Sequence, residues 1–188
     1  MFRYKILVLL LVIMLVVACS SVRVSQDFDP SKNIVNLKTF AWKTETQPPT
    51  GDIRVDNPLL DGRIRDAVER NLTARGYQKQ AETTPDFYIA YQYVIQRKLD
   101  SDRPQTGIGF GIGSFGSRGG IGISTGTSVS EYDEGLLVID FLGAREGELL
   151  WRGNGSRRVD QHSDPARTTE RINEMVDKIM NQITPLNQ

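Results

Sequence analysis

The chain has 188 residues, 39% hydrophobic and 24% charged, with 23 basic against 23 acidic side chains and a single cysteine. Balanced charge excludes the basic footprint of a nucleic-acid-binding domain. One cysteine excludes both an intrachain disulfide and a cysteine-based metal cluster, and the length suits one domain.

The opening stretch, MFRYKILVLLLVIMLVVAC, places Arg3 and Lys5 before an unbroken apolar run from Ile6 to Val17 and sets small Ala18 ahead of Cys19. That is the layout of an export signal. The run is shorter than the roughly 20 residues a membrane-spanning helix needs, and the chain turns polar straight after Cys19. Val16-Val17-Ala18-Cys19 resembles the bacterial lipobox, in which the cysteine thiol is acylated and the peptide is cut just before it. The resemblance implies a signal peptide over residues 1–18, palmitate-type acyl chains on Cys19, and a single periplasmic domain over residues 19–188. Several acyl chains anchor a protein stably where one binds only marginally. Ser20, where an aspartate would signal inner-membrane retention, implies sorting to the outer membrane. Residues 1–18 hold Arg3 and Lys5 and no acid, so the remaining 170 residues carry 21 basic and 23 acidic side chains. A domain of that size buries roughly 68–70% of its unfolded surface.

Val22, Val24 and Phe28 fall on one parity and predict a half-buried strand, which Asp29-Pro30 breaks. A second strand is expected from Leu37 to Trp42, followed by a loop at Gln47-Pro48-Pro49-Thr50-Gly51. Asn57-Pro58 has the chemistry of a helix start: the Asn side chain caps free N–H groups, and proline fits the first turn. Leu60, Ile64, Ala67, Val68 and Leu72 then recur at helical spacing. Gly76 and Tyr77 predict a Schellman closure. Between the apolar positions, Arg63, Arg65, Arg70 and Arg75 interleave with Asp61, Asp66 and Glu69, which describes a water-facing side.

Phe87 to Ile95 is rich in aromatic and β-branched residues and predicts a buried strand. Leu136 to Leu142 and Glu148 to Val159 predict two more, joined as a hairpin through Gly143-Ala144-Arg145-Glu146-Gly147. Glu131, Asp133 and Glu134 lack calcium-loop spacing and read as a solvated charge run, while Trp151 reads as core. Asp164-Pro165 repeats the cap-and-proline opening, and Ile172, Met175, Val176, Ile179 and Ile183 form a second helical stripe that Pro185 ends. The expected class is α+β, an antiparallel sheet of five or more strands with two amphipathic helices packed on one face.

At Thr39-Phe40-Ala41-Trp42, at Pro85-Asp86-Phe87, and above all at Glu134-Gly135-Leu136-Leu137-Val138-Ile139-Asp140 with Leu149-Leu150-Trp151-Arg152-Gly153, the chain resembles the domain of unknown function 4136 family of Gram-negative envelope lipoproteins. The resemblance covers nearly all of the mature chain. It implies an envelope lipoprotein with a compact α+β domain, and it supplies no catalytic residues. The departure is a long glycine-rich insert at about residues 104–130.

Nine of the seventeen glycines lie between Gly107 and Gly126. They alternate with Ile108, Phe110 and Ile112, and later with Ile121 and Ile123, and Phe115 precedes the expected turn over residues 116–120. Such a hairpin presents one apolar and one bare face, so these six side chains are the candidate partner-binding edge. Two catalytic patterns fall inside it. Gly111-Ile112-Gly113-Ser114-Phe115-Gly116 spells a dinucleotide fingerprint, but no helix pattern follows to bind a pyrophosphate. Gly122-Ile123-Ser124-Thr125-Gly126 spells a nucleophile elbow, with Asp133, Asp140, Asp160 and the lone His162 downstream. The strand-to-helix turn that presents such a serine is missing from the pattern, so a serine hydrolase using Ser124 is the remote alternative. Asp160-Gln161-His162-Ser163-Asp164 lacks the ligands of a zinc site. No metal or cofactor is expected. The sequence therefore predicts a non-enzymatic binding or accessory module that touches the membrane through Cys19 and takes an envelope protein or lipid-transport component as partner. The alternative is a structural lipoprotein that self-associates into a homo-oligomer through the glycine-rich hairpin.

Overall fold

A computed structural model describes residues 22–32, 37–44, 47–100, 130–160 and 164–183. In chain order the elements are β1 (Arg23–Phe28), β2 (Thr39–Trp42), α1 (Pro58–Ala74), β3 (Gln78–Lys79), β4 (Phe87–Asp100), β5 (Ser130–Gly143), β6 (Leu149–Arg158) and α2 (Pro165–Met180). The strands form one six-stranded sheet in the order β1-β6-β5-β4-β2-β3. Its four leading strands pair antiparallel. At the other edge β2 runs parallel to both β4 and β3. The sheet is thus mixed, mostly antiparallel, within the α+β class that the sequence predicts. A parallel neighbour needs a long crossover, and here α1 supplies it between β2 and β4.

The helix caps follow the local chemistry. The Asn57 side chain accepts from the Leu59 N–H at 2.9 Å, with Pro58 opening α1. Asp164 accepts from the Arg167 N–H at 2.9 Å, with Pro165 opening α2. Gly76 takes a φ of 90°. The N–H groups of Tyr77 and Gly76 donate to the carbonyls of Leu72 and Thr73, which is the paired hydrogen-bond pattern of a Schellman end.

One face of the sheet carries Phe40, Phe87, Ile89, Tyr93, Leu137, Ile139, Phe141 and Trp151, all buried in one cluster with the apolar stripes of both helices. Phe87, Phe141 and Trp151 pack in a row of tilted rings across three strands, with ring centroids 4.6 and 4.9 Å apart. Gly153 and Gly155 lie on this same face of β6. A Cβ on Gly153 would sit 2.2 Å from the Trp151 ring and 2.5 Å from Ile179, and one on Gly155 would sit 2.7 Å from Ile179. The bare backbone there is what lets α2 seat against the sheet. On the opposite face Asp140 and Arg152, register partners on β5 and β6, form a two-pronged ion pair with both contacts at 2.7 Å.

Every described element and core residue lies between Val22 and Ile183. The chain from Ser20 onward therefore carries the whole described sheet, both described helices and their shared core. Among the described residues, no helix is long and apolar enough to cross a membrane. The expected glycine-rich hairpin lies in the connection between Asp100 and Ser130, outside the described residues.

The charge run at Glu131, Asp133 and Glu134 reads differently once the sheet is in place. β4 and β5 stay paired well beyond their apolar stretches, out to Asp100 and Ser130. That places Glu134 in a paired strand rather than in solvent: it is buried, 3.0 Å from the Lys98 ammonium, and accepts from Ser156. Asp133 is likewise mostly covered and bonds Arg54 at 2.7 Å. Only Glu131 fits the expected solvated run, exposed and 3.6 Å from Arg97.

Candidate functional site

The charged side of α1 is half-exposed to exposed, as expected, and along its margin Arg63, Arg70 and the C-cap Arg75 also build the seam to α2. Arg63 Nε donates to the Thr169 hydroxyl at 3.0 Å, Arg70 to Asn173 at 2.6 Å, Asn71 to Asp177 at 2.7 Å and Arg75 to Asn181 at 2.7 Å. Partners advance along both helices together, so α1 and α2 run parallel. Arg65 points elsewhere, pairing with Asp61 and lying 4.5 Å over the Trp42 ring. Parallel packing puts both helix N-termini, the positive ends of their macrodipoles, at one end of the domain.

At that end opens a cavity of about 380 Å³ between the two N-termini and the sheet. This lies in the usual range of about 300–1,000 Å³ for small-ligand sites. Its floor is apolar: Leu60, Tyr93, Ile172 and Met175 are buried, and Ile95 continues the row along β4. Tyr93 fits because Gly135 on β5, the register partner of Ile95 and diagonal to Tyr93, is bare: a Cβ there would come 2.3 Å from the tyrosine hydroxyl. Burial pushes the Tyr93 hydroxyl pKa up, which keeps it protonated as a donor. Around this floor stand Arg54, Arg63, Arg157, Arg158 and Arg171, with Asp160 as the one acid in the lining.

The five guanidinium groups are unequally engaged. Arg54 is clamped by Asp52 and Asp133, both at 2.7 Å, and these hydrogen bonds, that to Asp52 foremost, raise its pKa. Arg171 binds Asp160, and that hydrogen bond holds the Asp160 carboxyl below its ordinary pKa. Arg157 donates to Glu174 at 3.0 Å and to the Arg171 carbonyl at 3.1 Å, while its buried Nε has no acceptor. Arg158 stacks 4.0 Å over the Tyr132 ring. Arg63 has the Thr169 hydroxyl as its hydrogen-bond acceptor and no carboxylate within ion-pair distance among the described residues. A second cleft adjoins the first, sharing Arg157, Arg158, Asp160 and Arg171 and adding Arg23, Tyr132 and Glu134.

Cys19, Ile108, Phe110, Ile112, Phe115, Ile121, Ile123, Ser124 and His162 all lie outside the described residues. The aspartates named beside them are dispersed and engaged: Asp133 with Arg54, Asp140 with Arg152, Asp160 with Arg171. No group of three or more potential metal-ligating side chains occurs among the described residues. The pocket was not foreseen from the sequence, because its lining comes from four separated stretches. The one local signal was the run Arg157-Arg158-Val159-Asp160 shortly before a capped helix.

Mixed six-stranded sheet, two parallel helices on one face and a basic pocket at their N-termini define an α+β domain with a single-ended cavity. The chain belongs to the family described as Domain of unknown function (DUF4136), whose profile matches residues 24–183. No curated protein matches it. Among solved structures, a PDZ domain protein from Parabacteroides distasonis shares the fold with a TM-score of 0.50 and 15% identity, over 87% of this chain and 36% of that one. The chain thus spans little more than a third of that protein's length. Two PelC dodecamer structures from Paraburkholderia phytofirmans align with TM-scores of 0.46 and 0.44 and identities of 12% and 11%. They cover 89% and 88% of this chain and 99% and 96% of theirs.

Proposed function

We propose that this protein is a non-enzymatic binding module of the cell envelope, anchored in the outer membrane through lipid on Cys19, with its domain facing the periplasm. The observation that carries the binding role is the pocket lining: guanidinium groups around an apolar floor. A guanidinium stays protonated throughout the physiological range and only donates hydrogen bonds, so it holds and orients a ligand rather than taking its proton. Anchoring rests on the basic start, apolar run and lipobox ahead of Cys19. β1 begins at Arg23, four residues later. Even fully extended, that span is at most about 14 Å, so a lipid on Cys19 would hold the domain against the membrane surface, beside its envelope partner.

Two measurements in cells test this reading. Labelling with an alkynyl palmitate analogue is expected to mark the wild-type chain in the outer-membrane fraction and to leave Cys19→Ser unmarked; equal labelling of both would defeat the anchor. Photocrosslinkers placed along residues 107–126 are expected to capture an envelope protein or lipid-transport component. Capture of nothing at any of those positions would count against the accessory role.

A further inference from the structure

We propose that the pocket between the helix N-termini binds a single-chain amphiphilic anion, with its carboxylate or phosphate head on Arg63 and its apolar chain against Leu60, Ile95, Ile172 and Met175. The inference rests on the binding-module reading above and names the ligand of that site.

The lining has two chemistries in two places. Leu60, Ile172 and Met175 are buried at the floor, where they favour a hydrocarbon over water. The arginines outnumber the acid in the lining five to one, and both helix dipoles point their positive ends there. A free inorganic anion would leave the apolar floor unused. An uncharged lipid would leave the arginines unused.

Which cation meets the head follows from the pairing. Arg54, Arg157 and Arg171 are each held by a carboxylate of the protein. Arg63 is held by a hydroxyl alone, so its remaining N–H groups are the ones an incoming carboxylate or phosphate can take, in the forked geometry that suits guanidinium. Arg157, with a buried Nε lacking an acceptor, adds positive potential in the wall behind it. The cavity's volume lies near the lower end of the small-ligand range, which favours one chain over two. Its position fits a ligand drawn from a membrane. Arg23, the first residue of β1, lines the adjoining cleft with Arg157, Arg158 and Arg171, so the pocket lies at the end of the domain where the chain arrives from Cys19.

The test uses the chain from Ser20 onward and cis-parinaric acid, a fatty acid that fluoresces when its chain leaves water. The acid is expected to bind, and its uncharged methyl ester to bind at least roughly tenfold more weakly, as loss of a charge-assisted contact implies. Arg63→Gln should weaken the acid by a similar factor and leave the ester where it was. Ile95→Trp, which fills the cavity, should abolish both. Thermal melts check that each variant is folded, and the acid-against-ester comparison on the wild type needs no variant at all. Oleate and lysophosphatidic acid as competitors separate the two sources of the head. Displacement by either upholds the proposal, and the stronger competitor identifies the head. Equal binding of acid and ester, no binding by the folded wild type, or displacement by inorganic phosphate as effective as by both amphiphiles would overturn it. A chain lipidated on Cys19 that captures an envelope partner but ignores parinaric acid would sink this inference and leave the binding-module reading standing.

Discussion

At the scale of single residues, Asp86 shows how one side chain fixes a junction that no periodicity describes. Its carboxylate accepts from the backbone N–H groups of Lys38 and Thr39, both at 2.8 Å, while its own N–H donates to the Thr39 hydroxyl and carbonyl. It thereby ties the start of β4 to the start of β2, where the sheet turns parallel. The Lys38 N–H foremost, with that of Thr39, holds the Asp86 carboxyl below its ordinary pKa. Asp86→Ala is expected to cost about 1–2 kcal/mol in urea unfolding at pH 7, as loss of hydrogen bonds to an ionised group implies. A carboxyl whose folded pKa is depressed stabilises above its unfolded pKa of about 3.9 and loses that contribution as pH falls through the lower folded value. The gap between wild type and Asp86→Ala should therefore hold at neutral pH and close in strong acid. A gap that widens below pH 4 would contradict this account of the junction.

At the scale of elements, both helices were legible because caps, prolines and apolar stripes all point to the same ends. The strands were legible in their apolar parts only. β4 and β5 continue past Ile95 and before Leu136 through residues such as Arg97, Lys98, Glu131 and Glu134, where cross-strand charge pairs replace apolar alternation. β3 is two residues long, below what a pattern can signal, and the parallel pairing of β2 depends on partners distant in sequence. The pocket was illegible for the same reason, since it exists only once α1 and α2 lie parallel. The fit of α2 to β6 is a further feature the pattern hides, since Gly153 and Gly155 read as weak strand residues and act as a seat. Gly155→Val would force its side chain into Ile179 and Met175 and is expected to destabilise the domain by about 1–3 kcal/mol, the usual cost of overpacking. Asn154→Thr, on the other face of the same strand, should change stability far less. Equal melting temperatures for wild type and Gly155→Val would show that α2 does not depend on that seat.

At the scale of the whole molecule, the question is how the glycine-rich stretch relates to the core that the described residues form. Asp100 and Ser130 are register partners, so the hairpin of β4 and β5 is closed by the 29 residues between them. Deleting residues 107–126 shortens that connection to nine. The lower closure entropy alone would then raise stability by about 1 kcal/mol, because no described core residue is removed. A melting temperature that instead falls would mean that the stretch contributes packing to the fold. Light scattering on the same two proteins bears on association. If Ile108, Phe110, Ile112, Phe115, Ile121 and Ile123 join copies of the chain, the intact protein is larger than a monomer and the deletion returns it to one. A monomer in both forms removes self-association and leaves the basic pocket, the proposed lipid on Cys19 and the proposed partner edge of the glycine-rich stretch as the features through which the molecule would meet its surroundings.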